Sequence, residues 1–87
     1  MAKLVLNQFL IDRLHLDRRT EINSTLKIDA NSVRTLINVL DQQFPGAGER
    51  LQSGFSIAID GEIFSDPMFE TLTPGCEVYF LPAIEGG

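Results

Sequence analysis

Apolar side chains recur at every second position near both ends of the chain and at every third or fourth position in its middle, and these two periods predict its elements. Leu4, Leu6 and Gln8 fall on one side of an extended segment over residues 3–9, with Val5 and Asn7 on the other. A polar loop is expected from Ile11 to Thr20. Ile22, Ser24, Leu26 and Ile28 then alternate with Asn23, Thr25 and Lys27, which predicts a second strand over 21–28 with one buried face and a hairpin joining it to the first. Ser32 stands where a helix N-cap belongs. Val33, Leu36, Ile37, Leu40 and Phe44 follow at helical spacing until Pro45-Gly46 ends the pattern.

The second half of the chain returns to short strands. Residues 45–54 are rich in glycine and read as a loop with one short turn at Glu49-Arg50-Leu51. Phe55, Ile57 and Ile59 predict a third strand, Asp60-Gly61 a tight turn and residues 62–64 a short fourth strand. Asp66-Pro67 breaks the chain, Leu72 is a core anchor, and Pro74-Gly75 turns into a last strand over 77–81. In that strand Val78 and Phe80 share the core face, and Tyr79 and Leu81 share the other. The order β-β-α-β-β-β predicts an α+β domain with one main helix on one face of a mixed sheet. If the first and last strands pair side by side in parallel, the arrangement is the β-grasp, or ubiquitin-like, fold. The chain's end then leaves from the middle of the sheet.

Composition narrows the function more than the fold. At 87 residues the chain makes one domain, 1–87, too small to enclose a deep catalytic cleft. No apolar run approaches the roughly 20 residues that span a bilayer, and Met1-Ala2-Lys3 leads into an alternating segment and not a secretory leader. A cytoplasmic protein with no membrane partner is the expectation. A net charge of −5 argues against nucleic acid as a partner and favours basic patches on other proteins. Arg13, Arg18 and Arg19, with His15 among them, are the local exception and read as a solvated basic turn before an anion-binding loop. His15 has no ligand-spaced companion, so no metal site is expected. Cys76, beside Glu77 and with no base near in sequence, reads as a plain turn residue.

The strongest chemical signal is the end of the chain, where Leu81 passes through Pro82-Ala83-Ile84-Glu85 to Gly86-Gly87. Residues 82–87 are expected to form a flexible tail that reaches roughly 20 Å when extended. Without Cβ atoms, the last two residues can thread a channel that excludes larger ones and present the Gly87 carboxylate as a reactant. Small residues also collect at chain ends for no chemical reason.

From Leu72-Thr73-Pro74-Gly75-Cys76-Glu77-Val78 through Tyr79-Phe80-Leu81-Pro82 to the terminal Gly-Gly, the chain resembles the ubiquitin-like sulfur carriers. These include the small subunit of molybdopterin synthase and the carriers of thiamine and cysteine synthesis. Phe44-Pro45-Gly46 and Glu49-Arg50-Leu51 are similar to the helix exit of the molybdopterin and cysteine members. Cys76 departs from the pattern, which has Asp in that turn. The resemblance implies a carrier and not an enzyme, though one that can be the small subunit of a synthase, with no cofactor of its own. A ubiquitin-activating-like enzyme would spend ATP to adenylate Gly87, and the resulting thiocarboxylate would pass sulfur to an acceptor such as the molybdopterin synthase large subunit. Gly86 and Ile84 would guide the tail, and Tyr79 and Leu81 would form part of a partner-binding patch. Sulfur transfer to cysteine, thiamine or tRNA, and a ubiquitin-like modifier joined to lysines, are the alternatives. So is an adaptor that binds through its sheet and makes no use of its tail.

Overall fold

The computed structural model describes residues 1–17 and 19–83. Five strands and three helices follow in the order β1 (Ala2–Leu6), α1 (Gln8–Arg13), β2 (Ser24–Ile28), α2 (Val33–Gln43), α3 (Ala47–Arg50), β3 (Phe55–Ile59), β4 (Glu62–Phe64) and β5 (Glu77–Pro82). The sheet order is β2-β1-β5-β3-β4. β1 and β5 run parallel, with Leu4 beside Val78, and every other pairing is antiparallel. The predicted central pairing of first and last strands is therefore present, and the fold is the β-grasp.

One face of the sheet carries Leu4, Ile57, Val78 and Phe80, each fully buried beneath Val33, Leu36 and Leu40 of α2. α2 begins where the sequence places it: the Ser32 hydroxyl accepts a hydrogen bond from the Thr35 amide at 3.1 Å, satisfying one of the donors a helix start leaves unpaired. Its first turn is also tied to the loop before β5, through Val33 N–H to the Glu70 carbonyl at 3.0 Å and Leu72 N–H to the Asn31 carbonyl at 2.9 Å. Leu72 is buried there, as expected. The Asp60-Gly61 turn joins β3 to β4 with both residues at positive φ, 49° and 87°, the twist that suits a two-residue hairpin.

Three sequence expectations require correction. The segment after β1 is a helix and not the end of a strand followed by loop. Asn7 caps α1, accepting from the Leu10 amide at 3.0 Å, and Leu10, Ile11 and Leu14 are buried at helical spacing. Gln8, in phase with Leu4 and Leu6, continued a period of two that Asn7 had already ended. Ile22 is not on the buried face of β2 but 55% exposed. Asn23 adopts φ 66° and donates its amide to the Leu6 carbonyl, so the ladder and its alternation start only at Ser24. Cys76 is no plain turn residue: it is 2% exposed, within the core cluster, just after the Pro74-Gly75 turn.

Candidate functional site

The site is assembled from the last strand outward. β5 lies between β1 and β3, so both of its edges are hydrogen-bonded. Pro82, expected to open the flexible tail, is still paired with Phe55, and the strand holds the backbone to that point. Exposed Ala83 follows. Ile84, Gly86 and Gly87 lie outside the described residues.

Two side chains brace the end of the sheet from which the chain leaves, and the sequence pattern singled out neither for that role. Asn7 donates from Nδ2 to the Phe80 carbonyl at 2.8 Å while its Oδ1 caps α1, so one amide links the helix start to β5. An Asn just before an apolar Phe9-Leu10-Ile11 run was the available signal. Arg13 donates from Nε to the Arg50 carbonyl at 2.8 Å and from Nη2 to the Ser53 carbonyl, with its guanidinium 5.8 Å from the Phe9 ring centre. Arg13 thus pins the loop that enters β3 and does not serve as one cation of a free basic turn. Arg19 is exposed, and Arg18 lies outside the described residues.

Asn7→Ala removes both the cap and the strand contact, and is expected to cost about 1–2 kcal/mol. A thermal melt should fall by about 5–10 °C, with Asn7→Asp recovering part of the loss because it keeps the cap acceptor. A melt within about 2 °C of wild type would rule out this linking role.

The face of the sheet opposite α2 carries the two residues expected to contribute to a partner patch. Tyr79 and Leu81 are half-buried there, while Val78 and Phe80 point into the core, as their alternation requires. Register extends the patch beyond β5: Tyr79 lies beside Val5 on one side and Ala58 on the other, and Ala58 is opposite Ile63. Residues paired directly across strands share a face, so Val5, Tyr79, Ala58 and Ile63 form an apolar strip across four strands. Val5 and Ala58 are largely covered by their neighbours, which leaves Tyr79, Leu81 and the 52% exposed Ile63 as its accessible surface. Ile63 was missed because its strand has only three residues, too few to display a period.

The folded domain buries its one thiol. The Cys76 thiol is pushed up from the ordinary thiol range, first by burial and next by the Asp60 carboxylate, so the thiolate is suppressed. Among the described residues no group of three His, Cys, Asp or Glu side chains could hold a metal ion, and no helix is long and apolar enough to cross a membrane. What the geometry offers is a rigid strand aimed at the chain's end, beside an apolar face.

The sequence model of the ThiS family matches residues 16–87, more than four-fifths of the chain and all of its glycine end. The chain belongs to the ThiS family. No curated protein matches it. The ThiS-family fold recurs in two solved structures. The crystal structure of the Amycolatopsis orientalis BexX/CysO complex matches at a TM-score of 0.71 and 16% identity, over 100% of both chains. The Mycobacterium tuberculosis CysO structure matches at a TM-score of 0.71 and 17% identity, over 97% of this chain and 100% of that one. At such identities the likeness is one of fold. ThiS-family membership makes the chain a ubiquitin-like sulfur carrier, a small carrier protein and not itself a catalyst.

Proposed function

We propose that this protein carries sulfur on its own C-terminus, as a Gly87 thiocarboxylate. The observation that carries the proposal is a family match running through Gly86-Gly87 on a chain whose last strand is locked in the centre of the sheet up to Pro82. A carboxylate resists nucleophilic attack until one oxygen is made a leaving group. An adenylating partner supplies this by joining the Gly87 carboxylate to the α-phosphate of ATP and releasing pyrophosphate. A sulfide donor then attacks the acyl carbon, AMP departs, and the terminal oxygen has been exchanged for sulfur. Transfer of that sulfur to an acceptor, with water restoring the oxygen, returns the carboxylate. The carrier contributes a thin reactive end and a docking face bearing Tyr79 and Leu81, while its partners supply positioning and charge stabilisation. Gly86 and Ile84 guide the tail through the partner's channel by capture of a C-terminal carboxylate.

Molybdopterin synthesis is the first pathway to test, with the synthase large subunit as acceptor. Cysteine synthesis is the second, favoured by the observation that both similar structures contain CysO. Intact-protein mass spectrometry decides the chemistry. The wild-type chain is incubated with ATP, a sulfide source and the adenylating enzymes of the same cell, and a gain of about 16 Da at the C-terminus is expected, sulfur replacing oxygen. No gain with enzymes that activate their own carriers would overturn the reading. A protein-sized adduct on lysine would replace it with a modifier.

A further inference from the structure

A charged row borders the apolar strip on the open face of the sheet. Lys27 of β2 is directly opposite Lys3 of β1, and Lys3 is beside Glu77 of β5. Glu77 donates its amide to Asp60 Oδ1 at 2.9 Å, while the Asp60 amide donates to the Glu77 carbonyl at 2.9 Å. From β2 to the β3–β4 turn the row therefore reads cation, cation, carboxylate, carboxylate, over about 14 Å at ordinary strand spacing. All but Asp60 sit on registers that place them on the same face as Tyr79, two residues or about 7 Å along the strands from the apolar strip. Lys3, Lys27, Glu77 and Asp60 do not belong to the buried core: the first three are exposed and the fourth closes the turn.

Two features of this row call for a partner. Like charges directly opposed on a sheet weaken the pairing, and Glu77 flanks Lys3 on its other side only, which among the described residues leaves Lys27 with a cation as its sole cross-strand neighbour. The apolar strip alone is also a poor guide to orientation, because its accessible surface is only Tyr79, Leu81 and Ile63, with no charge among them. The net charge of −5 attracts a basic surface from a distance but does not select which way round it lands. A row with its cations over β1 and β2 and its carboxylates over β5 and the turn does select.

We infer that Lys3 and Lys27 orient the adenylating partner on the sheet face by holding a partner carboxylate between them, with a partner cation over Glu77 and Asp60. This inference rests on the carrier reading above. The complement is a surface with an apolar centre, an acidic side chain at one end of its border and a basic one at the other. A partner seated this way has the chain's end leading in one direction only, since β5 is fixed beneath it.

Lys27→Glu separates this role from a structural one. The substitution relieves the like-charge contact by placing a carboxylate beside Lys3, so the domain should melt at or above the wild-type temperature while recognition weakens. With the adenylating enzyme that converts the wild-type chain, pyrophosphate exchange should show a KM for the carrier raised about tenfold and kcat within about twofold. The double variant K3E/K27E should be weaker still, Lys27→Arg should behave as wild type, and the KM of the wild type alone should climb steeply from about 50 to about 300 mM salt. A KM for Lys27→Glu within about twofold of wild type, with the wild type well activated, overturns the inference and leaves the carrier reading intact. If no enzyme activates the wild type, the carrier reading fails and this inference with it.

Discussion

Replacing Phe80 by alanine is expected to cost about 3–5 kcal/mol of folding stability. Phe80 is fully buried, lies in the central strand and stands opposite Ile57, with its ring centre 5.3 Å from that of Phe55 at a tilt of 43°. Its removal takes away the transfer energy of a whole aromatic ring and leaves a cavity bounded by a sheet on one side and α2 on the other. Neither can collapse into the space without moving backbone. A domain of this size has only about 4–13 kcal/mol to lose. Urea unfolding followed by circular dichroism should show a midpoint lowered by about a quarter or more. A loss below about 1 kcal/mol would mean that the sheet and helix do not meet at Phe80.

Deleting Gly87 should have the opposite profile, abolishing the mass gain of about 16 Da while leaving the melt unchanged. Among the described residues the buried core ends at Phe80 and the last paired residue is Pro82, so none of the described packing or pairing involves Gly87. The shortened chain still ends in a carboxylate, but one residue, about 3.5 Å, short of the adenylated phosphate. A reaction that needs its partners within van der Waals contact does not tolerate that gap. Retained adenylation by the deleted form would remove Gly87 from the chemistry and favour an adaptor that binds through its sheet alone.

The contrast between these variants follows what could be read from the chain. Regular repetition made α2 and β5 legible: Val33, Leu36, Ile37 and Leu40 declare one helix face, and Val78 and Phe80 one strand face, because burial imposes the period directly. Single-residue events were opaque. Asn7 ended one period and began another while Gln8 was still in phase with the first, and Asn23 broke the alternation of β2 by turning to positive φ. Cys76 entered the core through a turn whose composition suggests exposure. The proposal for Gly86-Gly87 comes from the sequence alone, while the outward positions of Tyr79 and Leu81 were legible as alternation. The strip that joins them to Val5, Ala58 and Ile63, and the charged row beside it, depend on register between strands as many as 74 residues apart in sequence. Local pattern carries no such information.

The placement of β5 also bears on how the protein is made. β1 with β2 and β3 with β4 are two separate antiparallel pairs, and among the described residues β5 is the only strand that touches both. A ribosome that stops before Glu77 therefore releases two unjoined half-sheets, each with an unpaired inner edge open to proteases, and no folded domain. Limited proteolysis of a chain truncated at Cys76 should show rapid, complete digestion where the full chain resists. Folding thus reports that synthesis has passed β5: a product missing this strand has no folded sheet face to offer a partner.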